Sequence, residues 1–271
     1  MISVLSDMMS YTFIVRAMIV GGLVALCSAL LGVSLVLKRY SMIGDGLSHV
    51  AFAALTIAVA MNVAPLYIST PIVTVAAIIL LRLSENSKIK GDSAIALIST
   101  VSIAIGVVVT ALTKGMNTDV YSYMFGSILA MSESDVYMSI ALSVVVIILF
   151  VFFYNKIFAV TFDESFAKAT GTKADVYNMI IAVLTAITIV VGMRIMGTML
   201  ISSLIIFPAL ISMRNFKTFK SVIICSAIVS VVCFLLGIIL SYLYSIPTGA
   251  SIVLVNTVAL ILSYLIGELR H

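Results

Sequence analysis

Residues 221–244 read SVIICSAIVSVVCFLLGIILSYLY, with no Lys, Arg, Asp, Glu or His among them. An α-helix crossing a hydrocarbon core needs about 20 such residues, because a helix satisfies its backbone N–H and C=O groups within the segment itself. This stretch is long enough and apolar enough to span. The rest of the chain repeats the pattern. Charged and turn residues leave further candidate spans at about 11–37, 43–62, 64–82, 93–113, 136–155, 176–193, 195–213 and 250–267, giving eight or nine in all. Across the 271 residues, 63% are hydrophobic and 10% charged, and the mean hydropathy is +1.29. Soluble domains carry roughly 25% charged residues, so a water-soluble globule is excluded. The chain is expected to be an all-α, polytopic membrane protein, one transmembrane unit over 1–271, with no space for an extramembrane catalytic domain.

The net charge of +4 is read from its distribution. With the N-terminus outside and the C-terminus inside, all of the 15 Lys and Arg except Arg16, Lys114 and Arg194 fall on inner connections or at the C-terminus. Short cytoplasmic loops collect such residues, so this orientation is expected, and the basic balance does not argue for nucleic acid. The N-terminal segment lacks the basic region and cleavage site of a secretory signal, so the first apolar stretch is expected to stay as a span. Cys27, Cys225 and Cys233 have no metal-thiolate spacing and read as small residues compatible with lipid. Arg16 is expected to snorkel to the headgroups.

The linker 114–135, KGMNTDVYSYMFGSILAMSESD, is long and moderately apolar. Tyr121, Tyr123 and Phe125 suit an aromatic belt at the headgroups or a short re-entrant helix. Asp119, Glu133 and Asp135 are expected to face outward, either solvated or attracting cations. Arg194 stands at a tight turn between two spans, where it anchors the interface or, with Asp119, guards an outer entrance.

Inside the spans ionisable residues are scarce, and two of them stand together. Asp45 and His49, in SMIGDGLSHVAFAAL, are four residues apart and share one helix face. Counted from Arg39 at about 1.5 Å per residue, His49 is expected roughly 15 Å deep, near the bilayer midplane. Ionisable groups at depth are costly and generally face a partner or a water-filled path. Imidazole suits zinc and other transition metals, and a carboxylate offsets the charge of a divalent ion. Gly44 and Gly46 let a backbone or an ion come close. The alternative is a buried packing network of Asp45 and His49 with each other or with Arg194.

On the inner side, about 156–175, the stretch TFDESFAKATG at 161–171 pairs a Thr161-to-Glu164 capping-box spacing with Gly171 as a helix stop. A short cytoplasmic helix is expected, with Phe166, Ala167 and Ala169 on one partly apolar side. That side either docks into a partner's groove or rests on the membrane. No G-x-x-x-x-G-K-[ST], H-E-x-x-H or G-x-S-x-G occurs, so neither ATP hydrolysis nor hydrolase chemistry has a motif to sit on.

Five stretches together resemble one family, the membrane subunits of ATP-binding-cassette importers for zinc, manganese and iron. They are KRYSMIGDGLSHVAFAAL at 38–55, YSYMFGSILAMSESDV at 121–136, the 161–171 loop, VGMRIMGTMLISSLIIFPAL at 191–210 and, more weakly, IPTGASIVL at 246–254. GDGLSH is the most specific. The resemblance implies a homodimer in a prokaryotic cell membrane, a separate cytoplasmic ATPase and an extracytoplasmic metal-binding protein. It implies no permanent cofactor and no catalysis by this chain, only a transported divalent ion. It makes Asp45 and His49 metal-pathway residues, and the loop carrying Asp163, Glu164, Phe166, Ala167 and Gly171 a coupling helix on the ATPase. YMFGSIL at 123–129 is nearer to zinc-type members, with manganese and iron the other candidates. The competing readings are a gradient-driven secondary transporter using the pair as a proton relay, against which stands the missing inverted repeat, and a membrane scaffold.

Overall fold

A computed structural model describes residues 10–86, 91–113 and 133–269. Among these, eleven helices follow one another: α1 Thr12–Leu37, α2 Ile43–Ala60, α3 Pro65–Asn86, α4 Gly91–Leu112, α5 Glu133–Phe152, α6 Tyr154–Phe162, α7 Glu164–Ala169, α8 Ala174–Met196, α9 Thr198–Asn215, α10 Phe219–Tyr244 and α11 Thr248–Leu269. Eight are long and apolar enough to cross a membrane. The ninth segment expected to span is α9, a helix of 18 residues that is apolar over Leu200–Asn215. Gly197, at φ +83°, separates it from α8, and Pro208 stands inside it, where the ring removes one ladder hydrogen bond.

The helices form where the sequence is apolar, but their places in the bundle follow packing. α1 is central, against α10, α9, α8 and α5, while α2 packs on α4, α3, α9 and α8. In each of α1 and α2, 72% of the most apolar window is buried, against 22% in α4, whose remaining surface needs lipid or another chain. Small residues bring the helices together, as is usual where lipid removes the hydrophobic drive for association. A Cβ on Gly32 of α1 would lie 2.2 Å from the Ile205 carbonyl oxygen of α9. Ser230 Oγ of α10 donates to the Ala25 carbonyl of α1 at 2.8 Å. Cys27 and Cys233 are buried free thiols, in keeping with their reading as small packing residues.

Arg16 of α1 pairs with the exposed Glu133, a contact compatible with a side chain that reaches the headgroups. One expectation at the start of α5 is corrected. Asp135 is buried and engaged rather than outward-facing and solvated, because it stands on the inner face of α5 in line with buried Ser139 and Ser143, four and eight residues on.

Candidate functional site

The turn before α2 sets the position of the Asp45–His49 pair. α1 ends with Lys38 as its cap and Arg39 at φ 61°, and the amides of Arg39 and Tyr40 close back on the carbonyls of Val36 and Leu35. This is the Schellman pattern, with an Arg where Gly usually stands. Helical rise therefore begins at Ile43, and His49 lies about 9 Å along α2 rather than 15 Å in from Arg39. Residues 39–42 form the turn and contribute no rise along α2.

Asp45 sits in the first turn of α2, where unpaired amides favour a negative charge. Its Oδ2 is 3.7 Å from His49 Nε2, close enough for electrostatic attraction but too long for a hydrogen bond. The imidazole is thus not locked to the carboxylate. Ser48 Oγ donates to the Asp45 carbonyl at 2.7 Å. The Asp45 side chain is 41% exposed and that of His49 20%, so the pair is only partly covered by its surroundings. On either side α2 is closed. A Cβ on Gly44 would stand 3.1 Å from Ile205 Cδ1 and 3.5 Å from Ser202 Oγ of α9, and one on Gly46 would stand 2.7 Å from Ile95 Cγ2 and 3.5 Å from Ser99 Oγ of α4. Among the described residues, the buried hydroxyls of Ser99 and Ser202 have no hydrogen-bond partner. Sequence reasoning missed both, since a serine in an apolar helix carries no pattern. No set of three or more His, Cys, Asp or Glu able to hold a metal occurs among the described residues. The described residues therefore offer two such donors here, Asp45 and His49.

Of the outer-entrance residues, Asp119 lies outside the described residues, as do Tyr121, Tyr123 and Phe125 and the YMFGSIL stretch. Arg194 is in α8, and its side chain is outside the described set.

The loop after α5 holds two short helices, α6 and α7. Asp163, extended at φ −147° and ψ 95°, caps α7 by accepting from the Phe166 amide at 2.8 Å. This corrects Thr161 as the cap. A cap needs non-helical backbone, whereas Thr161 is within α6. Gly171, at φ +82°, is the expected stop: its amide and that of Thr172 close on the carbonyls of Lys168 and Ala167. Phe166 and Ala167 do not share a side. Ala167 is buried against Val160 and Ala174, while Phe166 is 65% exposed. Adjacent helix positions diverge by about 100°, so the apolar side divides.

Glu164 is the hub of this end of the molecule. Its Oε2 accepts from Lys38 Nζ at 3.3 Å and Asn178 Nδ2 at 3.0 Å, and its Oε1 pairs with Lys168 Nζ at 3.0 Å. Partial burial pushes the carboxyl up, but the bonds from Asn178 and Lys168 and the Lys38 charge outweigh it and hold it at about 2. Lys168 also reaches Asp175 at 2.9 Å, and Asp175 and Glu164 together raise its ammonium above the usual range. The sequence placed Lys38 only as an inner-side charge and overlooked Asn178, a lone amide in an apolar run.

The family model described as the ABC 3 transport family matches residues 10–267. The manganese import system permease protein ScaB of Streptococcus gordonii is 26% identical over 95% of this chain and 92% of its own length. The high-affinity zinc uptake system membrane protein ZnuB of Haemophilus influenzae is 29% identical over 91% of this chain and 95% of its own length. In solved structures, PsaBC from Streptococcus pneumoniae, in complex with Fab, superposes with a TM-score of 0.88 at 26% identity, covering 97% of this chain and 95% of that one. With a match running through nearly every span and a shared arrangement of helices, the chain belongs to the ABC 3 transport family.

Proposed function

We propose that the chain is the membrane-spanning permease of an ATP-driven importer, and that Asp45 and His49 carry a divalent transition-metal ion through the bilayer. The observation that carries this reading is a carboxylate and an imidazole on one face of a buried helix, both partly exposed, with no third His, Cys, Asp or Glu beside them among the described residues. Two copies of the chain facing each other supply four donors, the number zinc takes in its tetrahedral sites. A half-exposed acid on α2 is costly against lipid and is accommodated against a second copy around a polar path. A transit site must also release its ion, which suits two donors per chain that are not locked to each other. Zinc is the cargo we favour, as a preferred partner of imidazole. The relatives' names divide between manganese and zinc.

The energy comes from a separate cytoplasmic ATPase that docks on the loop 156–175, where the exposed Phe166 projects from α7. An extracytoplasmic metal-binding protein delivers the ion at the other end, where Asp119 and Arg194 belong in this reading. The orientation has the N-terminus outside: Lys38, Lys156, Lys168 and Lys173 cluster around α6 and α7, as the excess of Lys and Arg on cytoplasmic loops leads one to expect.

The test is ATP-dependent uptake of radioactive zinc and manganese into vesicles holding the chain with its ATPase. Asp45→Ala and His49→Ala are expected to assemble with the ATPase and lose uptake. Unchanged uptake in both variants refutes the path.

A further inference from the structure

We propose that Lys38 is a positioning residue: it ties α7 to the turn that carries Asp45, so that movement of the docking loop is passed to α2. The proposal rests on the importer reading above and adds the route by which loop and metal helix communicate.

Lys38 caps α1, and its side chain is only 10% exposed. Its ammonium meets acceptors from three different elements: the Val160 carbonyl at the end of α6 at 3.2 Å, Glu164 of α7 at 3.3 Å, and Asn178 Oδ1 of α8. An ammonium has three N–H donors in all, and burying it without such partners is costly. Glu164 and Asn178 are also bonded to each other, so the three groups form a closed triangle that joins α1 to two consecutive helices more than a hundred residues further along the chain. Its members hold one another in place.

On the other side of Lys38 the chain has little slack. Its own amide is bonded to Ser34, Arg39 and Tyr40 close the helix end, and Ile43 is bonded back to Tyr40. α2 starts at Ile43, and Asp45 is in its first turn. A displacement of α7 thus reaches the base of the metal helix through one ammonium and a hydrogen-bonded turn. The second tie on α7, Lys168, has a 49% exposed side chain and leads to Asp175, which is 74% exposed. Pairs in such exposed positions are worth little, and this one does not reach α1.

The experiment measures zinc uptake and ATP hydrolysis in the same vesicles, with the complete transporter, for wild type, Lys38→Met, Lys38→Arg, Glu164→Gln and, as a charge control on an exposed loop, Lys217→Met. Lys38→Met is expected to keep the ATPase bound and hydrolysing while zinc moved per ATP falls by about 5- to 150-fold, the span of a typical coupling free energy. Lys38→Arg, which restores the charge and the donors, is expected to recover most of the ratio, and Lys217→Met to keep it within about twofold. A wild-type ratio in Lys38→Met overturns the proposal, as does an equal fall in uptake and hydrolysis. If Lys38→Met fails to assemble, the isosteric Glu164→Gln decides by the same ratio. Wild-type vesicles that take up no metal refute the importer reading itself, whereas a variant ratio equal to wild type refutes only this transmission.

Discussion

Gly32 and Gly22 lie on the same helix, and the same substitution is expected to act on them with opposite sign. In Gly32→Ala the new methyl would stand 2.2 Å from the Ile205 carbonyl oxygen and 3.0 Å from its carbonyl carbon. Both are backbone atoms that no rotamer change can move. Ordinary contact begins near 3.4 Å, so α1 and α9 must part by roughly 1 Å. Overpacking that shifts backbone costs about 1–3 kcal/mol or more. The strain does not stay local. Ile205 also contacts α2, its Cδ1 lying 3.1 Å from where a Cβ on Gly44 would be, so displacing α9 disturbs the wall beside Asp45. Gly22 has nothing within 4 Å of its Cβ position, and there alanine gains about 0.5–1 kcal/mol of helix stability over glycine. Thermal unfolding of the purified protein in one detergent, with zinc uptake in parallel, is the assay. Gly22→Ala is expected at or above the wild-type midpoint with full uptake, and Gly32→Ala several degrees below it with reduced uptake. Equal midpoints for the two variants would refute the close approach of α1 and α9 and the reasoning built on it.

Two further predictions concern the 161–175 loop. Glu164 is held at about 2 against an ordinary value of 4.5. A depressed acid contributes stability above its unfolded pKa and loses it as pH falls toward the folded one. The loop's attachment is therefore expected to weaken progressively from about pH 5 down to about pH 2, and a pH series of hydrogen exchange at the α7 amides should show that loss in wild type and its absence in Glu164→Gln. Gly171→Ala forces a side chain into φ +82° and is expected to destabilise the end of α7 by about 1–2 kcal/mol, read as faster exchange at the Gly171 and Thr172 amides. Gly171→Asn should cost less, because Asn tolerates that conformation better.

The helices were legible because each is a local solution. Lipid offers no hydrogen bonds, so an apolar run must satisfy its own backbone, and the boundaries read from charges and turns agree with α1 to α5 and α8 to α11 to within a few residues. The same locality made Gly171 readable as a stop and put Asp45 and His49 on one face. The errors arose where two local solutions compete or where a partner is remote. Thr161 and Asp163 are both capping residues, and the choice depended on which of them lies in extended backbone. The start of α2, and with it the position of His49 along that helix, depended on a turn closed by Arg39 at positive φ, a conformation that the residue's identity does not announce.

Composition and spacing alone determined that this chain lives in a bilayer, where its long apolar helices run to within a few residues, and which two ionisable residues share a face within them. Only the tertiary structure decided that α1 is the centre, that Asp45 and His49 stay partly exposed while the flanks of α2 are closed by α4 and α9, and that Lys38, Glu164 and Asn178 meet. The reason is physical: a helix is specified by hydrogen bonds four residues apart, whereas its neighbours are chosen by the fit of small residues and the pairing of buried polar groups across more than a hundred positions of chain.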